Sequence, residues 1–252
     1  MKFIRVQAKG CLNSFRQSDF QTYHKTYPLP LKTTVGGMLG GALGISPKSV
    51  NDDWLQINRF SMGIAGIANG KANDLWQIRK YESKQIQAFN ECKSDKPYKT
   101  AVIVRELLYS MDFVLYLSFK DESDLNLIFE KIQNPSWALS LGREDELIKI
   151  IAVDKISLEQ ESCLCYHNTV LPVDLSEIKY KIEMGSNNLF SENLLDDAPQ
   201  IVKVPIAFSY DNKSNERMAV KFQIFSFIGN LPISLPNAGY CDKNLGYSFQ
   251  IF

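Results

Sequence analysis

Thr33-Thr34-Val35-Gly36-Gly37-Met38-Leu39-Gly40-Gly41-Ala42-Leu43-Gly44-Ile45 is the stretch on which the fold turns. At 100° per residue, Gly36, Gly37, Gly40, Gly41 and Gly44 fall on one arc, and Val35, Met38, Leu39, Ala42, Leu43 and Ile45 fall on the other. The spacing predicts a helix over 35–45, capped by Thr33 or Thr34. Each glycine costs about 1 kcal/mol against alanine, so the helix starts with a deficit of roughly 4–5 kcal/mol if the terms add. Tertiary contacts must offset it. The apolar arc suits a sheet. The bare arc admits a close neighbour: a phosphate chain, another backbone, or a packed element of the same domain.

The flanking sequence supplies the sheet. Lys2 to Lys9 alternates, with Ile4, Val6 and Ala8 on one face and Phe3, Arg5, Gln7 and Lys9 on the other, which predicts a strand. Two prolines, Pro28 and Pro30, keep the approach to the helix extended. Trp54 to Ser61 reads as the second strand. Residues 62–100 carry Gly63, Gly66 and Gly70 and read as a long irregular insertion. Ala101 to Arg105 and Asp112 to Phe119 are β-branched and aromatic and read as strands. Leu125, Ile128, Phe129 and Ile132 recur at helical spacing over 122–133, ending before Asn134-Pro135. Leu147 to Val153 closes the set. The order β-α-β-β-α-β predicts an α+β, ferredoxin-like (RRM-like) domain over 1–156. A β-rich extension, with strands at 200–210 and 218–228, fills 157–252.

Apolar residues make up 45 % of the 252-residue chain and charged residues 22 %, enough to bury a core without staples. Five scattered cysteines argue for free thiols. The N-terminus lacks a leader-length apolar run and no stretch reaches a membrane span, so a cytoplasmic protein without membrane contact is expected. The formal net charge of zero conceals an asymmetry. Residues 1–110 hold 16 Lys and Arg against 8 Asp and Glu; residues 111–252 hold 12 against 20. An anionic partner for the first half is one reading, and mutual attraction of the halves is the other.

Nucleotide-binding loops are excluded: no Lys-Ser/Thr follows Gly41, and the dinucleotide spacing is missing. Cys163-Leu164-Cys165-Tyr166-His167 lacks zinc-site spacing, so neither metal nor cofactor is expected. Tyr23-His24-Lys25 holds residue types suited to metal-independent RNA cleavage. Neighbours on an extended segment point to opposite faces, however. Arg143 either binds phosphate or pairs with Glu144 and Asp145.

Four segments together resemble the Cas five family of CRISPR-associated proteins. They are Ser14-Phe15-Arg16 with Tyr27-Pro28-Leu29-Pro30, the glycine helix from Thr33 to Gly44, Val104-Arg105-Glu106-Leu107-Leu108-Tyr109, and Leu139-Ser140-Leu141-Gly142-Arg143-Glu144-Asp145. The resemblance implies a RAMP-superfamily fold with a long β-hairpin thumb at about 54–100. It implies a non-catalytic subunit of a type I Cascade complex, most like subtype I-B. Such a subunit holds the 5′ handle of the CRISPR RNA, contacts the backbone and large subunits, and meets target DNA through the assembled complex. Arg16, Lys32, Arg59, Arg79, Lys80, Arg105 and Arg143 are then the expected phosphate or base contacts. Tyr27 and Trp76 are the expected stacking partners. Thr33, Thr34, Gly36, Gly37 and Gly40 are the expected helix contribution. The alternative is an endoribonuclease that processes precursor CRISPR RNA.

Overall fold

The structure is a computed structural model that describes residues 1–20, 22–80, 99–162, 164–183, 198–211 and 217–252. Strand β1 (Lys2–Asn13) and the short β2 (Tyr23–His24) lead into helix α1 (Lys32–Leu43). Helix α2 (Pro47–Val50) and a π-helical turn (Asn51–Leu55) follow, then β3 (Phe60–Lys80), β4 (Lys99–Phe119), α3 (Glu122–Gln133) and β5 (Ile148–Ser157). The remaining strands are β6 (Gln160–Glu161), β7 (Leu164–Tyr166), β8 (Thr169–Leu171), β9 (Lys181–Ile182), β10 (Gln200–Tyr210), β11 (Arg217–Ile228), β12 (Ile233–Leu235), β13 (Gly239–Asp242) and β14 (Tyr247–Phe249).

One large sheet runs β10-β11-β8-β3-β4-β1-β5, with β2 added in parallel beside β4. Every other pairing in it is antiparallel. The chain is thus mostly antiparallel sheet with few helices. No helix among the described residues is long and apolar enough to cross a membrane.

The alternation in β1 sorts its side chains as expected. Ile4, Val6 and Ala8 join Phe113, Leu115 and Leu117 beneath α1 and α3, whose Val35, Met38, Leu39, Leu125, Ile128 and Ile132 are buried. The other face is also covered. Phe3 packs with Tyr116, Tyr240 and Phe249 under the C-terminal strands. Arg5 on that face bonds both Asp154 and Asp242.

Three expectations require correction. Residues 54–61 are not one strand: Trp54 and Leu55 belong to the π-helical turn, and β3 begins at Phe60. Both side chains are buried, and Leu55 lies over Gly36 of α1, so packing on the helix overrides their β propensity. Residues 62–80 are not irregular. Strands β3 and β4, 21 residues each, pair from Phe60–Phe119 to Lys80–Lys99. Gly63 and Gly66 are places where other groups come close. A Cβ on Gly63 would stand 2.1 Å from the Phe249 ring, and one on Gly66 would stand 2.7 Å from the Asp112 carbonyl. Glycine in a strand marks such close approach as readily as it marks a loop.

Helix α1 also starts earlier than expected, at Lys32, with Leu31 as N-cap and no side-chain cap. Its glycine arc divides. Gly36 and Gly40 face Leu55 and Val50, whereas nothing lies within 4 Å of a Cβ on Gly37 or Gly41. Gly40→Ala would put its Cβ 2.4 Å from Val50 Cγ2, and we expect it to destabilise by about 1–3 kcal/mol. Gly41→Ala should stabilise by up to about 1 kcal/mol. Urea midpoints check the pair, and shifts of the same sign would contradict this packing.

Candidate nucleic-acid interface

Where α1 begins, five separated parts of the chain meet around a groove of about 700 Å³. Its walls come from the Ser14–Arg16 segment, the start of α1, Arg105 and Glu106 on β4, the Gly142-Arg143 loop, and the β10–β11 hairpin. Arg16, Arg105, Arg143 and Arg217 all line it, against Asp19 and Glu106. Thr33 and Thr34 present the first turn of α1 and Gly37 the second; the first turn contains no acidic residue. A helix N-terminus with cations around it and no competing carboxylate in its first turn suits phosphate.

Local geometry explains how the arginines are held. Arg16 is exposed, on a segment bridged to Thr26. Its neighbours Phe15 and Gln17 point inward, so alternation turns Arg16 outward. Arg105 donates through Nε to Asp74 at 3.1 Å. Arg143 lies 3.6 Å from Asp145. Both guanidinium groups also sit against the Trp76 ring, at 4.8 and 4.4 Å from its centroid, within cation–π range. Trp76, 37 % exposed, thus gathers two groove arginines as well as offering part of its own surface. Of the two readings of Arg143, the ion pair is formed with Asp145, and the residue also lines the groove.

Seven of the expected residues come together here: Arg16, Tyr27, Thr33, Thr34, Gly37, Arg105 and Arg143. Trp76 stands beside them. Others are corrected. Tyr27 is buried and stacked on Phe227 at 5.4 Å, so its ring forms part of the groove floor and is no open stacking platform. Gly36 and Gly40 are occupied by Leu55 and Val50. Arg59 lies away from the groove, clasping the buried Asp124 through Nε and Nη2 and resting on Trp54 at 4.5 Å. The side chains of Arg79 and Lys80 lie outside the described residues.

Lys32 turns inward. It is 8 % exposed and donates to Asn58 Oδ1 at 3.1 Å. Burial, then repulsion from Lys120, pulls its ammonium down from the ordinary 10.5 to about 8. Between those values the unfolded chain binds more protons than the folded one, so Lys32 makes stability rise with pH there. The wild type is expected to gain on Lys32→Met by on the order of 2 kcal/mol from pH 8 to pH 10. Urea melts of both proteins at the two pH values test this; equal pH dependence would contradict a desolvated Lys32.

The groove also uses residues that the sequence alone did not single out: Arg217, Pro205, Phe208 and Phe222, from the C-terminal hairpin. Arg217 stacks on Phe208 at 4.9 Å. Their one sequence signal is that Pro205, Phe208 and Phe222 fall in the strand-like runs 200–210 and 218–228, which gives strands and no location. His24 lines the groove too. Tyr23 instead donates to Glu106 at 3.0 Å, and Lys25 lies over the Phe20 ring at 5.9 Å.

A family model described as CRISPR-associated protein (Cas_Cas5) matches residues 3–185. No curated protein matches the chain. Among solved structures, a chain of a CRISPR RNA-guided surveillance complex is similar at 15 % identity, with 91 % of each chain covered and a TM-score of 0.52. A CRISPR protein from Archaeoglobus fulgidus is similar at 12 % identity, over 100 % of this chain and 99 % of that one, again with a TM-score of 0.52. At such identities the likeness is one of fold. The family match spans most of the chain, including four of the five parts that build the groove: this protein belongs to the Cas5 family of CRISPR-associated proteins.

Proposed function

We propose that the protein is a non-catalytic subunit of a type I CRISPR RNA-guided surveillance complex, and that its groove grips the 5′ handle of the CRISPR RNA. The observation that carries this is the convergence of Arg16, Arg105, Arg143 and Arg217 on the first turn of α1. Four cations around one helix N-terminus match the spaced negative charges of a single strand. The partial exposure of Trp76 and Phe222 adds surface on which a base stacks.

The fold reading supports it. The strand order β3-β4-β1-β5, with α1 and α3 as crossovers, fits a ferredoxin-like domain at 1–156. The 21-residue arms of β3 and β4 fit a thumb. In this reading the backbone and large subunits bind the same chain, and target DNA reaches it through the assembled complex.

The non-catalytic reading is supported by Tyr23 and Lys25, whose side chains are turned to Glu106 and to the Phe20 ring while His24 lines the groove. Co-purification of the assembled complex, followed by sequencing of bound RNA, tests the proposal. A defined repeat-derived 5′ end is expected, crosslinked to the groove. Absence of any crosslink to this chain would leave only a scaffold. Metal-free incubation with repeat RNA is expected to leave it intact; cleavage lost in His24→Ala would establish the endoribonuclease instead.

A further inference from the structure

Behind the groove wall sits Glu146, 6 % exposed. Its side chain accepts three hydrogen bonds: from Ser14 N at 2.7 Å, from the Ser14 hydroxyl at 2.5 Å and from Arg143 N at 2.9 Å. Its main chain closes the same loop, with Leu141 N donating to Glu146 O at 3.0 Å and Glu146 N donating to Arg143 O at 3.2 Å. Asn13 adds a side-chain bond to Leu141 O at 2.8 Å. Gly142 makes the approach feasible. Its φ is +115°, and a Cβ there would stand 2.0 Å from Glu146 Oε2 and 2.4 Å from Ser14 O.

A carboxylate that only closed its own turn would need the Arg143 bond alone. Two of the three side-chain bonds instead reach Ser14, 132 residues away. Each bonded segment carries a groove arginine. Ser14 leads directly through Phe15 to Arg16, and the third bond is to Arg143 itself. Among the described residues, no cation pairs with Glu146; N–H and O–H donors satisfy it. The two arginine segments are therefore tied through backbone N–H groups and the Ser14 hydroxyl, and Arg16 and Arg143 both still line the groove.

We propose that Glu146 is a positioning residue that holds Arg16 and Arg143 at a set separation, so that both engage phosphates of one bound strand. This rests on the RNA-binding reading of the groove. Preorganisation raises affinity by removing the ordering cost at binding, so the gain is realised through the arginines and disappears without them.

The test uses the full chain and labelled single-stranded repeat RNA, titrated at several salt concentrations. Glu146→Ala is expected to lose about tenfold in affinity. Its salt slope should fall by about 0.7 to 1.4, as one or two single-strand phosphate contacts are lost. In an Arg16→Ala/Arg143→Ala background the same substitution should change affinity less than twofold. Glu146→Gln and Ser14→Ala, which keep most of the packing, should reproduce the lower slope if Glu146→Ala is poorly folded. A purely structural residue would lower the melting temperature and leave the slope unchanged. Folded variants with a wild-type slope, or losses that simply add in the triple variant, overturn the proposal. A wild-type slope that Arg16→Ala/Arg143→Ala leaves untouched overturns the groove reading, and this proposal with it.

Discussion

Replacing Arg16 and Arg143 together by alanine is expected to weaken binding of single-stranded repeat RNA by roughly a hundredfold or more at near-physiological salt. Each hydrogen bond to a charged group contributes about 1.5–3 kcal/mol, and about 1.4 kcal/mol is a factor of ten in affinity. Arg16 is exposed, and it has no ion-pair partner among the described residues, so phosphate meets little competition there. Arg143 is shared with Asp145 at 3.6 Å and with the Trp76 ring, and its single loss should be the smaller. Arg59→Ala supplies the contrast. It should leave RNA affinity unchanged, because Arg59 is bound to Asp124 away from the groove. It should still destabilise the fold by about 3 kcal/mol by leaving that buried carboxylate unpaired. Fluorescence anisotropy and urea melts on the same preparations separate the two outcomes. An Arg59→Ala variant that loses more affinity than the double variant would move the interface to the α3 side.

Phe249→Ala is expected to lower stability by about 3–5 kcal/mol, the range for a buried aromatic truncated to alanine. The ring is fully buried. It stacks on Tyr116 at 3.9 Å, meets Phe3 edge-on at 5.6 Å, and lies over the bare backbone of Gly63. The rigid sheet backbone limits collapse around the void, so the cavity persists. The groove opens on the α1 side of the sheet and this cluster lies on the other side. RNA affinity measured well below the melting temperature should therefore be retained. Denaturant unfolding followed by fluorescence checks the first part. A loss under about 1 kcal/mol would mean that the C-terminal strands contribute little to the core.

Much of this arrangement is legible in the amino-acid sequence. The alternation in β1 sorts Ile4 from Phe3, and Leu125, Ile128 and Ile132 mark α3 with its boundaries. Both are local periodicities, and local periodicity is what a sequence carries directly. The β3–β4 hairpin is harder to read. Gly63 and Gly66 imitate a loop, when their lack of a side chain makes room for Phe249 and for the adjacent strand. Trp54-Leu55 imitates a strand for the converse reason: its apolar pair serves a helix contact. In each case the deciding neighbour is distant in the chain.

The same division holds for the site. The cationic first half, the glycine-laden helix after the first strand, and the placing of Arg16, Arg105 and Arg143 in segments that resemble one family are all readable from the residues alone. Those properties reside in composition, period and short motifs. Packing in three dimensions settled which of the helix glycines remain open, that Lys32 and Arg59 are already engaged, and that Arg217 reaches the groove from some two hundred residues beyond Arg16. It also decided that Glu146 ties the Arg143 loop to Ser14. Contacts of that kind depend on how the elements pack and on which partner reaches a charged group first, and neither is written in the local pattern of residues.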